Sequence, residues 1–164
     1  MTRIGVSGHR SYNDPGVVAA MTDAVLERVL HEQGAPTVIS NLAEGADQLV
    51  AELVLRRAGA VLEVVLPLPI DDYGNDFASG DSRRRFDGLL ADASNVVVIE
   101  QIPGESRESA YERAGHAIVD TCDVLVALWD GLPARGQGGT AEMVQYAIDR
   151  DVLVEVVLVE RDPL

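Results

Sequence analysis

The chain has 164 residues, and its 27 acidic against 13 basic side chains give a formal charge of −14. All 13 bases are arginine; without lysine there is no Schiff-base chemistry and no Walker P-loop with its phosphate-clamping lysine. The acidic surface repels polyanions, which disfavours nucleic acid and anionic membranes, and a lone Cys122 excludes an internal disulfide or a Cys-rich zinc site.

The N-terminus runs straight into a first strand, Ile4 to Ser7, with no signal-type apolar region before it. Asp14 before Pro15 reads as a helix opening, and Val18, Met21, Val25 and Val29 share one helical face closed by Gly34. Thr37 to Ser40 is the second strand. Leu49, Val50, Leu53 and Val54 mark the next helix, with Gly59 beyond it. Leu62 to Leu66 is the third strand, and Tyr73 and Phe77 follow in a loop, where they either wall a base pocket or form local core. Arg83, Arg84 and Arg85 open a helix that carries Phe86, Leu89 and Leu90. Asn95 to Ile99 is the fourth strand. The polar stretch from Pro103 to Ser109 reads as a lid over the site. Tyr111, Ala114, Ile118 and Cys122 form a helical face, Val124 to Leu128 the fifth strand, Val144, Ala147 and Ile148 a last helical face, and Leu153 to Val159 the sixth strand.

Short apolar runs rich in Val, Ile and Leu suit strands covered on both faces, and their alternation with helices predicts a parallel sheet. The expected fold is α/β: one domain over residues 1–164, a Rossmann-like three-layer α/β/α sandwich with a mostly parallel six-stranded sheet in the order 3-2-1-4-5-6. No apolar run reaches the roughly 18 residues of a membrane helix, so a cytoplasmic protein with no membrane partner is expected. The three histidines lack metal-ligand spacing, and no metal site and no required cofactor are expected.

In such sheets ligands bind beyond the carboxyl ends of the strands, so the loops after strands 1, 2 and 5 are where a site belongs. The first is Ser7-Gly8-His9-Arg10. Gly8 permits a tight turn, His9 a hydrogen bond, and Arg10 a bidentate pair with phosphate or carboxylate. The second is Asn41 to Asp47, with Gly45 at a helix opening. Glu44 and Asp47 either grip ribose hydroxyls or complement the helix dipole. The third runs through Trp129-Asp130-Gly131 to Arg135, Gly136, Gly138, Gly139, Thr140 and Glu142. Backbone N–H groups and a Thr hydroxyl at a helix start form a phosphate cradle. Glu142 is either a general base, a ribose ligand or a dipole partner.

Together the Ser7-Gly8-His9-Arg10 turn, Ala43-Glu44-Gly45-Ala46-Asp47, the Asp123 to Gly131 strand and Gly138-Gly139-Thr140-Ala141-Glu142 resemble the SLOG superfamily over nearly the whole chain. That group includes the lonely-guy phosphoribohydrolases, the DNA-processing protein A domain and nucleotide-sensing domains. The resemblance implies a nucleotide or nucleotide-derived ligand, with Gly8, Gly45, Gly138, Gly139 and Thr140 at its phosphate, and a homodimer. The phosphoribohydrolase motif P-G-G-x-G-T-x-x-E places its acid three residues after Thr. Here that position is Met143, and Glu142 comes one residue earlier. Nucleoside deoxyribosyltransferases share the Asp130-Gly131 strand end and place their acid likewise. The sequence therefore supports a binding or sensing domain first. The alternatives are a hydrolase or transferase at an N-glycosidic bond using Glu142, and an interaction module.

Overall fold

The computed structural model describes residues 2–162. Six strands form one sheet: β1 (Arg3–Gly8), β2 (Thr37–Ser40), β3 (Val61–Leu66), β4 (Asn95–Val98), β5 (Val124–Trp129) and β6 (Leu153–Leu158). The helices between them are α1 (Pro15–Leu30), α2 (Ala46–Leu55), α3 (Ile70–Gly74), α4 (Gly80–Asp92), α5 (Arg107–Thr121) and α6 (Thr140–Asp149). Every pairing is parallel, and the order is β4-β3-β2-β1-β5-β6. Helices α1, α2 and α4 pack as one layer, and α5 and α6 against the opposite face.

The three-layer Rossmann-like architecture is as expected, but strand 4 does not sit beside strand 1. It extends the sheet outward from β3, and all its residues are exposed, with Val97 at 45%. The place beside β1 belongs to β5, where Val124 to Leu128 are almost wholly buried. A Val-rich run reads the same at an edge as in the centre, because strand period carries no neighbour information. The chain thus lays down β1 to β4 in one direction, then returns through α5 to the other side of β1. The reversal between β1 and β5 opens a crevice at their carboxyl ends.

Local differences follow packing. Helix α1 buries Val18, Thr22 and Leu26, while Met21 stays 41% exposed; the buried face is rotated from the one the apolar spacing marks. The buried Thr22 hydroxyl donates to the Val18 carbonyl at 2.7 Å, which satisfies a polar group in the core. Asp14 has φ 53° and makes no side-chain cap, and Glu32, not Gly34, turns left-handed beyond the helix. The third-strand loop contains the short helix α3. From it Tyr73 packs edge-on against Phe77, Phe86 and Tyr111.

Candidate functional site

The crevice is built first by backbone contacts. Gly8 ends β1 opposite Leu128; a Cβ there would lie 2.4 Å from the Ala46 Cβ and 2.9 Å from the Leu128 carbonyl oxygen. The next residue, His9, donates its N–H to the Leu128 carbonyl and accepts the Ala46 N–H, both at 3.1 Å. Gly45 precedes α2 at φ +80°, with its Cα so close that a Cβ would meet the Arg10 carbonyl oxygen at 2.3 Å. Asp47 turns back to accept the Ala43 N–H at 3.3 Å. The opening of α2 is therefore filled by the chain itself, and Gly45 has a packing role. Glu44 lies outside the crevice lining; its carboxylate accepts the Ala78 N–H at 3.3 Å and stands 4.0 Å from Arg10.

What remains is a cleft of about 280 Å³. Gly8, His9 and Arg10 line it from the β1 loop, Asn41, Ala43 and Asp47 from the β2–α2 turn, and Tyr73 and Tyr111 from the aromatic cluster. Arg135, Gly136, Gly138, Gly139 and Thr140 close it from the glycine-rich loop. Gly139 is the N-cap of α6 with no side-chain cap, and buried Thr140 is the first helical residue. The first amides of a helix have no intrahelical acceptor, so this end offers donors to an anion. Arg161, just beyond β6, also lines the cleft.

The electrostatics are inverted relative to the whole chain. Arg10, Arg135 and Arg161 all line the cleft, and Asp47 is the only acid among its lining residues. Arg135 is exposed and forms no ion pair among the described residues. Arg10 is only loosely held, 4.0 Å from Glu44 and 5.8 Å above the Tyr111 ring. Burial lifts Asp47 to about 7, against the pull of the Ala43 N–H and Arg10. At neutral pH much of its negative charge is thus suppressed.

Asp130 lies behind this lining. Its N–H donates to His9 Nε2 at 3.1 Å, and its carboxylate meets Arg161 Nε at 3.1 Å. Burial, then the Arg161 charge, push His9 below its ordinary value, so its imidazole is held neutral with Nε2 accepting. Asp130 is held low: burial would raise it, but the Leu132 N–H and the Arg161 charge pull it down. Arg161→Gln is expected to raise the His9 midpoint, which an NMR titration of its ring protons would read. An unchanged midpoint would show that Arg161 does not set it.

Glu142 is exposed and outside the lining; its carboxylate accepts the Gly138 N–H at 2.6 Å. Gly138 itself takes φ +77°. The side chain that lines the cleft from this turn of α6 is Met143, 3% exposed. It is seated against Gly115, where a Cβ would lie 2.5 Å from its Sδ.

No protein-family model matches the chain, and no curated protein matches it. Among solved structures it is similar to DNA processing protein A from Helicobacter pylori, a structure described for its single-stranded DNA binding. The TM-score is 0.67 at 12% identity, covering 98% of this chain and 68% of that one. It is also similar to the structural-genomics target TM1055, with TM-score 0.55 at 17% identity, covering 94% of this chain and 72% of that one. At these identities the likeness is one of fold.

The structure brings Gly8, His9, Arg10, Arg135, Gly138, Gly139 and Thr140 into one cleft and leaves Glu44, Gly45 and Glu142 outside its lining, with Asp130 behind His9. Trp129 lines a separate apolar hollow beside β6, and Phe77 joins the aromatic cluster rather than the cleft wall. Residues 103–109 do not line the cleft. Ser106 caps α5 by accepting the Ser109 N–H, and Arg107 pairs with Asp72 and Asp76 at 2.8 and 2.7 Å. Arg83, Arg84 and Arg85 are neutralised by Asp87, Asp81 and Glu52. Asn41, Tyr111 and Arg161 were not singled out from sequence. The loop after strand 6 and the polar members of helical faces were the signals that would have led to them. Among the described residues no helix is long and apolar enough to cross a membrane, and no group of three or more His, Cys, Asp or Glu is placed to hold a metal.

Proposed function

We propose that the cleft binds a nucleotide or nucleotide-derived small ligand, as a sensor or binding domain. The observation that carries this reading is the charge reversal. In a chain of net −14, three arginines meet at one small cleft beside the start of α6, and the only acid lining it is held near 7. The ligand's phosphate belongs at the amides of Thr140 and its neighbours, where helix dipole and Arg135 act together. Tyr111, half-buried at the cleft, offers ring surface for a base. The enclosed volume is near the lower end of the roughly 300–1,000 Å³ of small-molecule sites, which favours one nucleotide over a strand laid across the face. With Met143 facing the cleft and Glu142 turned to Gly138, the family's acid position offers no carboxylate for N-glycosidic chemistry.

Thermal denaturation with a panel of nucleoside mono-, di- and cyclic phosphates tests the reading. A ligand at 100 times its Kd adds about 2.7 kcal/mol, a rise of roughly 5–10 °C for a chain of this size. No shift across the panel would overturn it. The likeness to DNA processing protein A supplies the comparison ligand, a single-stranded oligodeoxynucleotide. Salt-sensitive binding of that strand without any mononucleotide response would favour a DNA-binding reading instead.

Gly139→Asp is the matching variant. Its backbone, at φ −72° and ψ 171°, accepts an aspartate, which would cap α6 and take the amides meant for the anion. The added Cβ comes 2.7 Å from the Ala134 Cβ, so the loop backbone at Ala134 must shift to admit it. Ligand affinity is expected to fall at least about 100-fold with the fold retained, since one charged donor set is lost and a like charge introduced. Calorimetric titration with unchanged affinity would remove phosphate from the α6 opening.

A further inference from the structure

The cleft also holds buried polar atoms without hydrogen-bond partners; one is Arg161 Nε, which lies against the Asp130 carboxylate. Asn41 Oδ1 is buried with no hydrogen-bond donor, and so is the Tyr111 hydroxyl. Beside them Asp47, 5% exposed, accepts the Ala43 N–H at one carboxylate oxygen, 3.3 Å. All three residues line the cleft. Buried polar atoms in native proteins are normally satisfied, so the unpartnered Asn41 Oδ1 and Tyr111 hydroxyl at one cavity imply partners that arrive with a ligand. Asn41 follows β2 directly, and the chain then turns sharply through Leu42, a buried residue at φ +55° whose N–H donates to Ser40 Oγ at 2.9 Å. The turn fixes Asn41 and Asp47 on the same side of the β2–α2 connection.

We propose that Asn41 and Asp47 recognise the vicinal hydroxyls of a ribose, so that the site selects ribonucleotides over deoxyribonucleotides. The inference rests on the nucleotide reading and deepens it. A vicinal diol is a neutral pair of donors one sugar ring away from the phosphate, which matches acceptors on one wall and cations on the other. Carboxylates beyond the second strand meet ribose hydroxyls in dinucleotide folds for the same reason. A deoxy sugar would leave a buried acceptor unpaired, and sites built to bond a substrate hydroxyl reject its deoxy analogue strongly.

The test compares affinities for AMP, GMP, CMP and UMP with their 2′-deoxy counterparts, together with ribose 5-phosphate and 2-deoxyribose 5-phosphate. Whichever nucleotide binds is expected to exceed its deoxy form at least about 10-fold, and the two sugar phosphates to follow the same order. At pH 8, above the Asp47 titration, Asn41→Leu removes one acceptor and Asp47→Asn replaces another with an amide donor. Each is expected to reduce the ratio several-fold, mainly by weakening the ribonucleotide. Equal affinity for the two sugar series, or a ratio unchanged in both variants, would overturn the ribose assignment and leave nucleotide binding standing. A preference lost on exchanging AMP for IMP but not for dAMP would assign the acceptors to a base amino group and overturn it too. No binding in either series overturns the nucleotide reading itself, and this inference with it.

Discussion

Gly45→Val is expected to destabilise the protein by about 3 kcal/mol or more, lowering Tm by roughly 6–12 °C. Two costs add. At φ +80° and ψ −119° a β-branched residue is forced into a backbone region nearly reserved for glycine. Its Cβ would also fall 2.3 Å from the Arg10 carbonyl oxygen and 2.6 Å from that of His9. These are backbone atoms of the loop that takes the Ala46 N–H, so neither side can move without breaking that bond. The cost should appear as a lower denaturation midpoint with an unchanged denaturant slope. A loss below about 1 kcal/mol would mean that the β1 loop and α2 separate easily.

Asp47→Asn should act in the opposite direction, by an amount that grows as pH rises from about 4 to 7 and is complete above it. A buried carboxyl titrating near 7 keeps its proton in the folded chain between about 4 and 7, while the unfolded chain releases it. The folded state then binds more protons, so stability falls as pH rises through that window. Once ionised, the buried carboxylate costs on the order of 4 kcal/mol. Asparagine keeps the shape and can still accept from Ala43, but its amide needs a partner of its own. A net gain of about 1–3 kcal/mol at pH 8 is therefore expected, with little or none at pH 4. His9 works the other way. Held neutral in the fold, it costs stability as pH drops below about 6.5, where the unfolded chain protonates. Comparing variant and parent at each pH cancels that contribution. Parallel stability curves for the two proteins would refute the account of Asp47.

The cleft depends on the order of the strands, which the sequence-based expectation placed differently. Apolar runs located all six strands, because a strand covered by helices must be apolar throughout and its ends are marked by polar turns. The same runs could not rank the strands. Val96 to Val98 and Val124 to Val126 have similar side chains, yet one run is an exposed edge and the other the buried neighbour of β1. Helical faces were legible to within a rotation. Met21 and Ile148 continue apolar spacings but stay exposed, because the facing layer does not reach them.

The site divides along the same line. Glycine density before α6 pointed to the loop that closes the cleft, since few other needs place so many glycines at a helix start. Gly45 looked identical on paper, an exposed helix opening, and became a packing position because His9 and Asp47 arrived there first. Glu142 and Met143 are neighbours in the chain, but about 100° of helical rotation separates them, and packing against Gly115 decided which faces inward.

By itself, then, the sequence determined the elements, the parallel α/β architecture and the glycine loop, all of which follow from local periodicity and backbone freedom. The tertiary structure decided which charges meet. Arg10, Arg135 and Arg161 lie far apart in the chain and converge only because β1, β5 and β6 end side by side. Burial then turned Asp47 into an acid titrating near 7. Proximity and desolvation belong to the folded chain, and they make a cationic cleft in an acidic protein.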